Sequence, residues 1–187
     1  TPHTWICESI EQANAVLLSE AKKGYQTVLK PLFGSQGIGI HLISPDTGLI
    51  HDEKFAGIYY LQRFIEQKEK PYSDIRLFVI DGAVVAAMKR QSQYWLTNRA
   101  QGAACKLFEP DAELIALAET ACQVLQINYA GVDVIQAKTG QYFLIEVNSI
   151  PAWYGLQQVV DFNIAARLID SFITHIDENK QPTACLN

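Results

Sequence analysis

Two acidic residues stand inside otherwise apolar runs late in the sequence: Asp133 in GVDVI and Glu146 in FLIEV, with Asn148 two positions further on. A charge in such a strand is costly unless something neutralises it. A turn made by Lys138 to Gln141, whether of two or four residues, pairs Asp133 directly with Glu146 across a hairpin. Directly opposed residues of an antiparallel pair have Cβ atoms about 4.5–5.5 Å apart, and like charges there repel. Asn148 shares the face of Glu146, because side chains alternate along a strand. Three hard oxygen donors without imidazole or thiolate suit magnesium or manganese rather than zinc. The plainer alternative is that one acid is protonated or paired with a lysine or arginine. For an isolated acid pair that is the default, and the apolar surroundings move the balance toward a metal.

Magnesium usually keeps several waters and is held by one or two carboxylates plus substrate phosphates. A phosphate-binding element is therefore expected elsewhere, and VLKPLFGSQGIGI offers one. Lys30 lies in its strand, and Gly34, Gly37 and Gly39 allow backbone N–H groups to approach oxygens closely. The loop is neither a Walker motif nor GxGxxG at a helix start. By itself it reads equally well as an ordinary glycine-rich hairpin with a snorkelling lysine. Arg76 and Arg90 are candidates for phosphate or acylphosphate contacts, and equally for solvated surface charges.

The elements that must position these residues follow from periodicity and punctuation. Ser9 with Gln12 makes a capping pattern for a helix over about residues 9–23. Gln26–Leu32 and Ile40–Ile43 read as strands around the glycine-rich loop, and Ile58–Ile65 as another. Asp81-Gly82 between Ile75–Ile80 and Ala83–Met88 is a strong hairpin signal. Residues 91–110 are polar and read as a mobile loop that orders on substrate binding. Asp111–Gln126 carries apolar residues at helical spacing, Ala130–Ala137 and Tyr142–Val147 flank the KTGQ turn, and Phe162–Ile176 is an amphipathic helix. The class is α+β, dominated by antiparallel sheet.

Composition narrows the function. With 187 residues, 49% of them hydrophobic, the chain can bury a real core. A net charge of -5 argues against a broad nucleic-acid surface. Cys7, Cys105, Cys122 and Cys185 form no CxxC pair, so neither a zinc site nor a disulfide framework is expected, and a reducing, cytoplasmic setting fits. No apolar stretch is long enough to cross a bilayer, and no leader pattern opens the chain. Thr1 in place of an initiator methionine is expected for a portion of a longer protein.

Six segments, VLKPLFGSQGIGI, LQRFI, DIRLFVIDGAVVAAMKR, LTNRAQGAA, AGVDVI and FLIEVNSIPAWYGL, together resemble in order and spacing the motifs of ATP-grasp enzymes, most closely the RimK-like glutamate ligases. The resemblance implies an ATP-grasp fold of two lobes, each with antiparallel sheet and helices, holding the nucleotide between them. Residues 1–64 would be the small lobe and 65–187 the large lobe, with the family's N-terminal domain missing ahead of them. It implies that Lys30 contacts ATP phosphates and that the loop Gly34, Ser35, Gln36, Gly37 to Gly39 closes over them. Gln62, Arg63, Phe64 and Ile65 would recognise adenine through backbone groups, and Asp74 would lie near the ribose. Arg76, Arg90 and Asn98 match positions lining the phosphate and acceptor region, and Asp133, Glu146 and Asn148 match the magnesium ligands.

The implied activity is ATP-dependent, ADP-forming carbon–nitrogen ligation through an acylphosphate. The partners would be an amino acid such as glutamate and a carboxylate acceptor, either a protein tail or a small molecule, with room for a homo-oligomer. Leu96, Ala100 and Gln101 replace basic or histidine residues of typical members, which leaves the acceptor open; Arg63 stands where the family often has an acidic residue, of little consequence if recognition there is through backbone. The competing readings are a ligase for a pterin or deazaflavin coenzyme, a non-catalytic ATP- and magnesium-binding regulatory module, and a structural domain.

Overall fold

In the computed structural model, which describes residues 1–34, 36–50, 55–68, 70–99 and 102–179, strand β1 (Thr4–Cys7) precedes helix α1 (Ile10–Lys22). Strands β2 (Thr27–Lys30), β3 (His41–Ile43) and β4 (Tyr59–Arg63) follow. These strands form one sheet in the order β1-β4-β2-β3, and every pairing is antiparallel. Helix α1 begins where the Ser9 hydroxyl accepts from Gln12 N at 3.3 Å, satisfying one orphan donor of the first turn.

Register sorts this sheet into two faces. Leu29 pairs with Leu61 and Lys30 with Tyr60, while Gln62 lies between Val28 and Thr4. Leu29, Leu61, Tyr59 and Cys7 pack with Ala13 and Leu17 of α1 into a core that also takes in Ile43 and Phe55. Strand alternation then turns Lys30, Gln62 and Thr4 to the face away from that core.

One charge sits within this core. Glu20 shares the buried side of α1 with Ala13 and Leu17 and is fully buried. Its carboxylate accepts from Arg63 Nε at 2.6 Å and from Lys23 Nζ at 2.8 Å. The Arg63 guanidinium in turn lies 3.8 Å from the centre of the Tyr25 ring. The hydrogen bond from Arg63 holds the Glu20 carboxyl below its ordinary range, against burial, which pushes it up.

The second sheet contains β5 (Tyr72–Ile80), β6 (Ala83–Ser92), β7 (Ala104–Leu107), β8 (Tyr129–Gln136) and β9 (Tyr142–Asn148), in the order β7-β6-β5-β8-β9. Helix α2 (Ala112–Leu125) separates its hairpins in the chain, and α3 (Tyr154–Gln157) and α4 (Ile164–Asn179) follow β9. Asp81 and Gly82 both adopt positive φ, 51° and 73°, the conformation that a two-residue hairpin turn demands. Asp111 caps α2 by accepting from Leu114 N at 2.8 Å. Phe78, Ile80 and Met88 pack with Leu156 and Ile164 into a second core.

Two local expectations are corrected. Residues 91–110 are not one irregular loop: β6 continues to Ser92, and Ala104–Leu107 adds β7 as the edge strand. The polar composition of this stretch hid a strand that is half-solvated, with Phe108 N donating to Ala87 O at 3.1 Å just beyond it. The turn between β8 and β9 has three residues, not two or four. Gly140 N donates to Ala137 O and Ala137 N to Gln141 O, with Gly140 at φ 95°. Gly140 supplies the left-handed step that lets this odd-length turn close as a bulge. Direct opposition of Asp133 and Glu146 therefore does not follow from the turn.

The chain divides into two compact units. One comprises Thr1–Asp74, Arg90–Ala104 and Val134–Ile145; the other comprises Ile75–Lys89, Cys105–Asp133 and the chain from Glu146 on. No helix among the described residues is long and apolar enough to cross a membrane. Cys7, Cys105 and Cys122 are free thiols, and Cys185 lies outside the described residues.

The Glu20 network generates a pH-dependent prediction. Glu20→Gln should lower stability at pH 7 by roughly 1–3 kcal/mol, the scale of a weakened bond to a charged group. Because the folded carboxyl is depressed, its contribution is present above the unfolded value of about 4.3 and is lost as pH falls through the folded one. Denaturant unfolding should show the gap between wild type and variant at pH 7 closing in strong acid. A gap that persists unchanged there would contradict the ionic role.

Candidate functional site

Within the second unit, Asp133 in β8 has a carboxylate side chain only 8% exposed. Arg76 of β5 meets it with two parallel hydrogen bonds, Nε to Oδ1 at 2.7 Å and Nη2 to Oδ2 at 2.8 Å. A planar guanidinium matches both carboxylate oxygens at once, so this pair is fixed in orientation as well as charge. The positive group expected beside Asp133 is thus an arginine side chain in this structure.

The strand behind the pair is cut to fit it. A Cβ on Gly131 would stand 2.8 Å from Pro151 Cβ and 3.6 Å from Arg76 Nε. Glycine lets the Pro151 ring and the guanidinium share the surface of β8. The segment after β9 is tied in turn: Tyr129 donates from its hydroxyl to Pro151 O at 3.3 Å, and the rings of Tyr129, Phe78 and Trp153 meet edge to face. Asn148 ends β9, and its Oδ1 accepts from Ile150 N at 2.9 Å, turning the chain toward Pro151. Glu146 is exposed on β9. No cluster of three or more His, Cys, Asp or Glu side chains gathers among the described residues.

The first unit holds the other candidates. Lys30 Nζ donates to Gln62 Oε1 at 2.6 Å and lies 6.0 Å from the Tyr60 ring centre; Gln62 Nε2 donates to Thr4 at 3.0 Å. Lys30 and Gln62 are thereby brought together on the face away from the α1 core. Beyond Gln62, Arg63 N donates to His3 O and Phe64 N to Gln26 O, both at 2.9 Å. Those two N–H groups are engaged inside the unit. Ile65 is buried just past the strand, and Phe64 packs edge-on against Trp95. In the glycine-rich loop, Gly37 and Gly39 both have φ 77°, and Gln36 is also positive at 59°. Gly34 lies against Pro31. Ser35 is outside the described residues.

Asp74 and Arg90 form a second bidentate pair in the same unit, Nε to Oδ1 at 2.5 Å and Nη2 to Oδ2 at 2.7 Å. Arg90 is 3% exposed and Asp74 8%, so Arg90 is not a solvated surface charge. Thr97 adds a third donor to Asp74, and Asn98 lies against Gly37. The sequence reading missed Thr97, Glu20, Gly131 and Pro151. Of these only Glu20 carried a signal, as an acid in register with Ala13 and Leu17 on the apolar stripe of α1.

The Arg76–Asp133 pair predicts a non-additive pattern. Arg76→Met removes the guanidinium from a buried carboxylate and should cost about 3–5 kcal/mol in urea unfolding. Adding Asp133→Leu to it removes the carboxylate charge as well and should recover most of that loss. Equal stability of the single and double variants would show that the pair is not holding charge in the interior.

Comparison with known proteins fits these elements. The RimK-like ATP-grasp domain model matches residues 1–172. A tetrahydromethanopterin:alpha-L-glutamate ligase of Methanocaldococcus jannaschii is 36% identical over 183 residues, covering 94% of this chain and 61% of the relative. The alpha-aminoadipate–LysW ligase LysX of Saccharolobus solfataricus is 31% identical, over 91% of this chain and 63% of the relative. The chain thus spans less than two thirds of the length of these relatives. Among solved structures, the ATP-grasp ligase PsnB with a precursor variant, magnesium and ADP superposes with a TM-score of 0.71 at 17% identity, over 94% of this chain and 54% of the other. A RimK domain ATP-grasp protein from Sphaerobacter thermophilus gives 0.60 at 21% identity, over 92% and 60%. An α+β chain with two antiparallel sheets, matched along nearly its whole length, is an ATP-grasp fold, and the protein belongs to the RimK-like ATP-grasp family.

Proposed function

We propose that the protein is an ATP-dependent, ADP-forming carboxylate–amine ligase, with L-glutamate as the amine and a carboxylic acid, on a small coenzyme or a protein tail, as the acceptor. The observation that carries this reading is the family match across residues 1–172, which includes Lys30, the glycine-rich loop and the β8–β9 hairpin with its oxygen donors. The glutamate assignment is supported by relatives whose names specify glutamate ligation.

The donor set fits magnesium or manganese: Asp133 and Glu146 provide carboxylates and Asn148 an amide oxygen, with no soft ligand among them. When bound, the cation would neutralise phosphate oxygens of ATP. Arg76 already balances Asp133, and an arriving phosphate competes for the same guanidinium. Lys30, oriented by Gln62, would meet the phosphates as a point charge, while the N–H groups of the Gly34–Gly39 loop approach their oxygens. Adenine would be read by backbone groups past Arg63 and Phe64, whose own N–H groups are engaged. Asp74 would reach the ribose only from its clamped position on Arg90.

The acceptor carboxylate attacks the γ-phosphorus, breaking its bond to the β–γ bridging oxygen and releasing ADP. The glutamate amine then attacks the acyl carbon and inorganic phosphate leaves, with the ammonium proton passed to solvent. No side-chain nucleophile is needed; the residues position and neutralise. Small lobe 1–64 and large lobe 65–187 would divide this work between them.

The test is ADP release with product mass, using the intact protein, magnesium, glutamate and a panel of carboxylic acids including pterin and deazaflavin coenzymes. We expect release that depends on acceptor and metal, falling about 100-fold or more in Asp133→Ala, the scale of one lost transition-state contact. ATP binding without turnover against every acceptor would indicate a regulatory module instead. Normal magnesium-dependent release by Asp133→Ala would overturn the metal assignment.

A further inference from the structure

The segment after β6 is tied down at a buried point. Thr97 is 6% exposed, and its Oγ1 donates to Asp74 Oδ2 at 2.6 Å. That oxygen is also held by Arg90 Nη2, while Arg90 Nε takes Oδ1. Thr97 is therefore anchored to a carboxylate whose orientation a guanidinium has already fixed.

One residue further on, Asn98 faces the glycine-rich loop. A Cβ on Gly37 would stand 2.7 Å from Asn98 Oδ1 and 3.2 Å from its Cγ, and Gly37 has φ +77°. Both features demand glycine: the left-handed backbone, and an approach too close for any side chain. The loop backbone at Gly37 thus rests directly on the Asn98 side chain.

We propose that Thr97 is a positioning residue: its bond to the Arg90-clamped Asp74 holds Asn98 as a stop against Gly37, and so sets the resting position of the glycine-rich loop. The inference rests on the reading of that loop as the nucleotide phosphate loop. A loop with several glycines loses much conformational freedom when it orders around a ligand. A fixed stop removes part of that cost before the ligand arrives, and preorganisation appears as affinity. The Asp74–Arg90 pair, expected to touch the nucleotide itself, thereby gains an indirect route to the loop.

Thr97→Val keeps shape and removes the hydroxyl, while Asp74 retains its clamp. Calorimetric titration of the intact protein with ADP and magnesium, well below each variant's melting temperature, should show Thr97→Val weakening ADP by about tenfold, the scale of one hydrogen bond to a charged group. Thr97→Ser should restore affinity near wild type. If Thr97 acts through Asn98, Thr97→Val in an Asn98→Ala background should cost nothing further. A role confined to fold stability would lower the melting temperature and leave ADP affinity in place. Should Thr97→Val not fold, Thr97→Cys, a weaker donor, is read the same way. Wild-type binding of ADP with unchanged affinity in Thr97→Val, or additive losses in the double variant, would overturn the inference alone. A wild type that binds no ADP would sink the phosphate-loop reading and this inference with it.

Discussion

A carboxylate in a strand interior must meet a cation, and in the second sheet Asp133 on β8 and Asp74 on β5 each meet an arginine. Asp133 meets Arg76 with two hydrogen bonds of 2.7 and 2.8 Å. Around that pair the chain is fitted: Gly131 has no side chain because Pro151 and Arg76 occupy its place, and Pro151 is fixed by Tyr129 and the turn at Asn148. Removing either charge alone takes from the other its bidentate counter-ion, so the two act as a unit.

The same solution recurs with different consequences. Arg90 is more deeply buried than Arg76, and its partner Asp74 recruits Thr97, which makes the pair an anchor for the segment that carries Asn98. Glu20 and Arg63 tie α1 to β4 inside a hydrophobic core. These guanidinium–carboxylate pairs sit in different surroundings. The one on β8 includes Asp133, which we propose as a metal ligand. Position and neighbours, rather than residue type, separate a structural pair from one that can take part in chemistry.

Much of the fold was legible in the sequence because its signals are local. The Ser9 and Asp111 caps, the Asp81-Gly82 turn and the apolar strands each depend on residues within a few positions of one another. Edge strand β7 was not legible, since ACKL next to polar residues has neither length nor clean alternation. The β8–β9 turn length was misread because KTGQ supports more than one closure, and Gly140 decides for three residues. Side-chain partnerships were the hardest. Arg76 and Asp133 are 57 positions apart, and Asp74 and Thr97 23, so nothing local records their contacts. The family resemblance named candidate residues for the site; in the structure Arg76 with Asp133 and Arg90 with Asp74 are engaged with one another as counter-ions.

The central claim is that Asp133, Glu146 and Asn148 hold a divalent cation for a nucleotide. The most direct measurement is manganese binding by electron paramagnetic resonance in the intact protein with ADP, comparing wild type with Glu146→Gln. Glu146 is exposed, so its substitution leaves the Asp133–Arg76 pair in place. The expected result is an ADP-dependent manganese site that is strongly weakened in the variant. An ADP-dependent site of equal affinity in both proteins would contradict it.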